Sequence, residues 1–165
     1  MGHAIPVPKT ASACRRHSIM FHYEKAWQDV MARIGRAARA RGRDPAGVRL
    51  VAVSKTFPAE AVRAVHALGQ RDFGENYVQE AAAKMASLAD LADIRWHLIG
   101  PLQSNKAAIA ASGFAWVQTV DRAKIAARLA AARPVDMPPL WVCIQVNASG
   151  EASKSGVAPG EVVGL

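Results

Sequence analysis

The chain has 165 residues, 51% hydrophobic, 21% charged and 6% aromatic, with a net charge of +8. That composition suits one globular domain with a real core, and no apolar run is long enough for a helix to span a bilayer, so no membrane partner is expected. The excess charge does not predict a nucleic-acid partner, because Arg33, Arg36, Arg39, Arg41 and Arg43 crowd one helix end as a solvated cap and no aromatic residues interleave with them.

Residues 1–20 contain Pro, Ala and Ser, with Lys9, Arg15 and Arg16 and no acidic residue. They lack the continuous apolar core of a secretory signal and are expected to be a disordered tail. Met20 stands just before the first periodic segment and is a second candidate start. From His22 to Arg41, Trp27, Val30, Met31, Ile34 and Ala38 recur at three- and four-residue steps, which predicts an amphipathic helix. Gly42 and Pro45 stop it.

Arg49–Lys55 is a short β-branched run with both faces apolar, the pattern of a buried parallel strand. Pro58 suits the first position of the next helix, which Gly69 closes. Residues 71–76 read as a second strand, followed by an alanine-rich helix from Tyr77 to about Leu91. Arg95–Ile99 is a third strand, with a helix after Pro101 that ends at Gly113. Ala115–Val120 is a fourth strand, after which Asp121 is placed to cap a helix ending before Pro134. Leu140–Asn147 is a fifth strand, and a loop from Ala148 to Gly156 follows. In the fifth strand Val142, Ile144 and Val146 share a face that would meet helices, while Cys143, Gln145 and Asn147 would line the interior. Cys143 is therefore expected to be an inert core thiol. Cys14 lies far from it with no metal-ligand spacing, which predicts a reducing, cytoplasmic setting and no metal site.

The strand–helix alternation predicts an α/β fold with a parallel sheet, either doubly wound or a (β/α)₈ barrel of the TIM type. No glycine-rich dinucleotide fingerprint follows any strand. Polar residues at successive strand ends favour the barrel: Lys55, Asn76, His97, Gln118 or Thr119, and Asn147 would all reach one mouth. About five βα units are present, whereas a closed barrel takes roughly 200–250 residues. The expected object is an incomplete barrel whose open edges require either more chain or association.

Lys55 shares its strand face with Val51 and Val53 and projects at the C-terminal end, where parallel α/β folds build their sites. A primary amine among apolar walls is poised to attack an aldehyde. The motifs that follow sharpen this. Val51-Ala52-Val53-Ser54-Lys55-Thr56, Phe73-Gly74-Glu75-Asn76-Tyr77-Val78-Gln79-Glu80, Trp96-His97-Leu98-Ile99-Gly100-Pro101-Leu102-Gln103-Ser104-Asn105-Lys106, Thr119-Val120-Asp121, Gln145-Val146-Asn147 and Ser153-Lys154-Ser155-Gly156 occur in that order. Together they closely resemble the pyridoxal-phosphate homeostasis protein family, which is similar in fold to the N-terminal barrel of alanine racemase.

The resemblance implies that residues 21–165 form part of a barrel domain that binds pyridoxal 5′-phosphate (PLP). It places the cofactor's Schiff base on Lys55 and offers Asn76, Tyr77, His97 and Asn147 as further cofactor contacts. It implies a role in intracellular vitamin B6 and amino-acid balance without turnover, and hence no catalytic residue. PLP is the expected partner, with PLP-dependent apoenzymes as candidates, and the full-length family is expected to be monomeric. The alternative is a PLP-dependent amino-acid racemase. Two-base racemisation needs a second base across the cofactor, which in alanine racemase comes from a second domain, and this sequence is expected to form one domain only.

Overall fold

The computed structural model describes residues 10–165, with side chains from His22 onward. Helix α1 spans Thr10–Arg39. No glycine or proline falls between Pro8 and Gly35, so nothing breaks the helix before its core-facing part. It therefore begins inside the stretch expected to be a disordered tail; residues 1–9 of that stretch lie outside the described residues. Trp27, Met31 and Ile34 are half-buried and Ala38 is buried, as the periodicity predicts, whereas Val30 stays exposed. The five arginines at its end are all exposed. Gly42 takes a positive φ of 63° to end the helix, and the Asp44 carboxylate accepts from the Ala46 N–H to start a short 3₁₀ turn over Pro45–Gly47.

Five parallel strands follow, β1 (Ala52–Val53), β2 (Asp72–Glu75), β3 (Arg95–Leu98), β4 (Trp116–Val120) and β5 (Trp141–Ile144). Between them run α2 (Ala59–Ala67), α3 (Val78–Ser87), α4 (Ala107–Gly113) and α5 (Ala123–Ala132). The spatial order is β1-β2-β3-β4-β5, the same as the chain order. A doubly wound sheet reverses direction at a switch point, and a barrel wall does not, so the order decides for the barrel. The wall is open between β1 and β5.

The core lies between this wall and its helices. Phe73, Leu98, Val117, Ile125 and Leu129 are essentially fully buried there, with the Phe73 and Trp96 rings 6.0 Å apart. Alternation along each strand sends the other side chains into the barrel interior, which lies open. Val53 is 50% exposed on that side, and Cys143 is exposed rather than buried. On the opposite face of β5, Val142 and Ile144 are 48% and 42% exposed. β5 is the outer edge of the described sheet and all four of its residues are exposed, so the expected burial of the thiol and of the helix-side valine and isoleucine is not seen.

Two helix starts differ from expectation. Pro58 is the extended N-cap of α2 rather than its first helical residue. At α5 the N-cap is Arg122, in extended backbone, and Asp121 sits one residue too early to cap. Its carboxylate accepts from Arg122 instead, at 2.9 Å.

In β4, Val117 and Val120 are both buried in the helix-side core although three residues apart. Regular alternation would put them on opposite faces. An irregularity in the β4–β5 register between them supplies the extra residue. The bulge leaves both Gln118 and Thr119 on the interior side, so the two residues between which alternation left a choice both face inward.

Candidate functional site

Lys55 stands just past β1, at the C-terminal rim of the wall, with its side chain exposed rather than enclosed by apolar walls. The strand ladder runs one residue further, with Ser54 N–H donating to Gly74 C=O at 2.9 Å, and then turns sharply. Phe57 N–H closes the turn on Ser54 C=O at 3.1 Å. Of the two central residues, Lys55 and Thr56, only Thr56 has a positive φ, 67°. That is the type II pattern, whose third position favours glycine. A β-branched threonine there costs on the order of 1–3 kcal/mol and persists only when the surroundings hold it.

Those surroundings are buried and charged. Glu75 ends β2 on the helix side, sharing its face with Phe73, and is fully buried. It accepts from Ser54 Oγ at 2.7 Å and pairs with Lys84 Nζ, from α3, at 2.5 Å. Lys84 Nζ also donates to the Ser54 carbonyl at 2.8 Å. Glu75 Oε2 has no partner among the described residues. One ion pair thus ties the ends of β1 and β2 and the middle of α3 to the residue preceding Lys55. Sequence reasoning missed it; the signal was a carboxylate at a core-facing strand position, which a buried partner must neutralise.

Beside this turn stand Asn76 and Tyr77, the two residues after β2. Asn76 is half-buried and Tyr77, the N-cap of α3, is 57% exposed. Their side chains have no hydrogen-bond partners among the described residues. Gly100, after β3, passes so close that a Cβ there would collide with the Asn76 carbonyl oxygen, so only glycine fits. Further round the rim, Ile99, Thr119, Gln145, Ser149, Lys154 and Ser155 contribute to a cleft of about 450 Å³. Thr119 Oγ1 donates to Gly100 C=O at 2.7 Å.

His97 is drawn the other way. Asp72 is the first residue of β2, so the contact of His97 Nε2 with its carboxylate at 2.9 Å pulls the ring toward the floor of the barrel. Nδ1 meets the Gln118 amide at 3.0 Å, and the ring stacks on Trp116, which stacks on Trp141. Arg95 holds the same carboxylate with two hydrogen bonds of 2.8 and 2.7 Å. Burial pushes the Asp72 carboxyl up, but Arg95 and His97 outweigh it and hold it below the usual range. Burial pushes His97 down, and Asp72 recovers only part of that. Both ring nitrogens are engaged, so His97 belongs to the floor and not to the mouth where the sequence reading put it.

Asn147 reaches the mouth but spends its amide on its own loop. Nδ2 donates to the carbonyls of Glu151 and Lys154 at 2.9 and 3.3 Å, while Oδ1 accepts from Gly150 N–H and Ser149 Oγ. Gly156, at φ 127°, brings the returning chain against Asn147 N, and Val146 and Val157 pair as a parallel bridge. Lys154 pairs with Glu151 at 2.6 Å, which holds the Glu151 carboxyl below its usual range.

A sequentially ordered parallel wall with a lysine just beyond its first strand defines the class as a (β/α) barrel type with an amine at its C-terminal rim. The family described as "Alanine racemase, N-terminal domain" matches residues 29–165, and the chain belongs to it. It is 62% identical over 136 residues to the pyridoxal phosphate homeostasis protein of Pseudomonas aeruginosa, covering 82% of this chain and 59% of that protein. It is 48% identical over 135 residues to the protein of that name from Escherichia coli K12, covering 81% of this chain and 58% of that one. The chain thus spans less than two thirds of these relatives. Among solved structures, PipY of Synechococcus elongatus PCC7942 without PLP superposes with a TM-score of 0.67 at 44% identity, covering 78% of this chain and 60% of that one. PipY with PLP bound gives 0.61 at 40% identity, covering 80% and 63%. Alanine racemase from E. faecalis, at 16% identity and a TM-score of 0.56 over 84% of this chain and 34% of that one, shares the fold.

Proposed function

We propose that this chain binds pyridoxal 5′-phosphate covalently through Lys55 and serves intracellular PLP balance as a carrier without turnover. The observation that supports it most is the placement of Lys55: an exposed amine on a strained turn at the mouth, beside two polar side chains with no partners among the described residues. The donor set fits the group. Asn76 offers an amide to a ring oxygen, Tyr77 offers a phenol and a ring face, and the cleft edged by Ser155 offers a hydroxyl to an anion. His97 and Asn147 are left out of the proposed contacts because their polar atoms are already committed.

When bound, the cofactor supplies an aldehyde carbon to which an unprotonated amine adds with loss of water. The chain's part is to present the Lys55 amine and to orient the group through Asn76 and Tyr77. The homeostasis names of the relatives and the existence of a PLP-bound PipY structure support the cofactor. A cytosolic setting and apoenzymes as recipients of PLP complete the reading. Among the described residues no helix is long and apolar enough to cross a membrane.

Mixing the protein with PLP should raise a near-visible absorption band that saturates at one equivalent. Incubated with alanine, the loaded protein should produce no enantiomer above the rate of free PLP. Sustained racemisation would favour the enzyme reading instead, and absence of any saturable band would remove both.

A further inference from the structure

We infer that the buried Glu75–Lys84 pair is a positioning device for Lys55, clamping the strained Ser54–Phe57 turn so that the amine faces the mouth. This rests on the reading that Lys55 carries the cofactor. The geometry behind it does not.

Three observations meet at Ser54. Its carbonyl accepts two donors, Phe57 N–H from within the turn and Lys84 Nζ from α3. Its hydroxyl donates to Glu75, which is fully buried and pairs with the same Lys84. Two residues later Thr56 holds a backbone conformation that L side chains rarely adopt. A solvated turn of this sequence would relax into a conformation threonine prefers, and Lys55 would swing with it. A lysine donor on the carbonyl that closes the turn opposes that relaxation. Nothing in core packing requires this arrangement, since a buried ion pair is on average no better than apolar residues of the same volume.

The test replaces both partners together, Glu75→Gln with Lys84→Met, so that no charge is left buried alone. Ser54 Oγ then keeps an acceptor while its carbonyl loses Lys84. Amide hydrogen exchange at Phe57 reports the turn without any cofactor. The double variant should exchange there about 10-fold faster, as expected when strain of this size is no longer opposed. Its affinity for PLP should fall by a similar factor. Adding Thr56→Gly, which removes the strain at its source, should return both toward the unaltered values.

Unchanged exchange at Phe57 in the double variant would overturn the inference. So would an equal acceleration at core amides such as Phe73 and Leu98, because the pair would then be a general stability element. Failure of Thr56→Gly to restore either readout would also count against it. If the turn responds as expected but the unaltered protein forms no adduct on Lys55, the clamp stands and the cofactor reading falls.

Discussion

The two rims of this half-barrel use polar residues in opposite ways. At the floor, Asp72, Arg95, His97 and Gln118 satisfy one another, and an aromatic stack seals them. At the mouth, Lys55, Asn76 and Tyr77 have no side-chain partners among the described residues, although the backbone beneath them is held tightly by Glu75 and Lys84. The floor is built to be finished, and the mouth to receive something. Buried polar groups that are mutually paired specify structure, whereas rigidly mounted unpaired ones are what a binding site requires.

Substitutions at the two rims should therefore separate binding from stability. Lys55→Ala should abolish the near-visible band completely while changing stability by no more than about 0.5 kcal/mol, since an exposed turn side chain contributes little packing. Asp72→Ala should do the reverse. It strands a buried imidazole and frees Arg95, and should cost about 3 kcal/mol in denaturant unfolding. Any cofactor that still binds its folded fraction should do so on Lys55. A stable Asp72→Ala protein that no longer binds would break the division between the rims.

Acid should act on the floor first. His97 is held below its ordinary value of about 6.5, so the unfolded chain takes up that proton before the folded one does. The stability tied to a neutral His97 is complete above about pH 6.5 and declines as the pH falls from there. Asp72 is held below its ordinary value of about 3.9, and its contribution, present above that value, is lost as the pH falls further through the folded-state value. Melting temperature against pH should show these two losses in that order, and His97→Gln should remove the first of them. The smallest effect is expected at the fifth strand. Asn147→Ala should loosen only residues 148–155, costing about 1–2 kcal/mol locally and exposing a new protease site there, with little change in the band.

The same contrast explains which features the sequence disclosed. Strand positions were legible because short strand-like segments recur roughly every 20–25 residues, each followed by a helical stretch bounded by glycines or prolines. Alternation also placed Lys55 at the mouth. It could not say in which direction along the strand a side chain leans, and so it sent His97 upward when Asp72 holds it down. The bulge in β4 escaped notice for a related reason: alternation assumes one residue per step, and Gln118 and Thr119 take two on one face. Asn147 precedes Ala148-Ser149-Gly150, a combination that suits an amide folding its own loop, and that local signal outweighed the strand-end position. Cys143 was read as core from its apolar neighbours, but burial depends on a next strand and not on neighbours in the chain. The Glu75–Lys84 pair links residues on different elements, and only the fold brings them together.

In the proposed function one amine, on one turn, carries the cofactor. Reduction of the PLP-loaded protein with borohydride, followed by proteolysis and mass spectrometry, tests it most directly. A single dominant pyridoxyl-modified peptide, the one containing Lys55, is expected at close to one equivalent. Modification spread over Lys25, Lys106, Lys124 and Lys154, or concentrated on a peptide without Lys55, would contradict it.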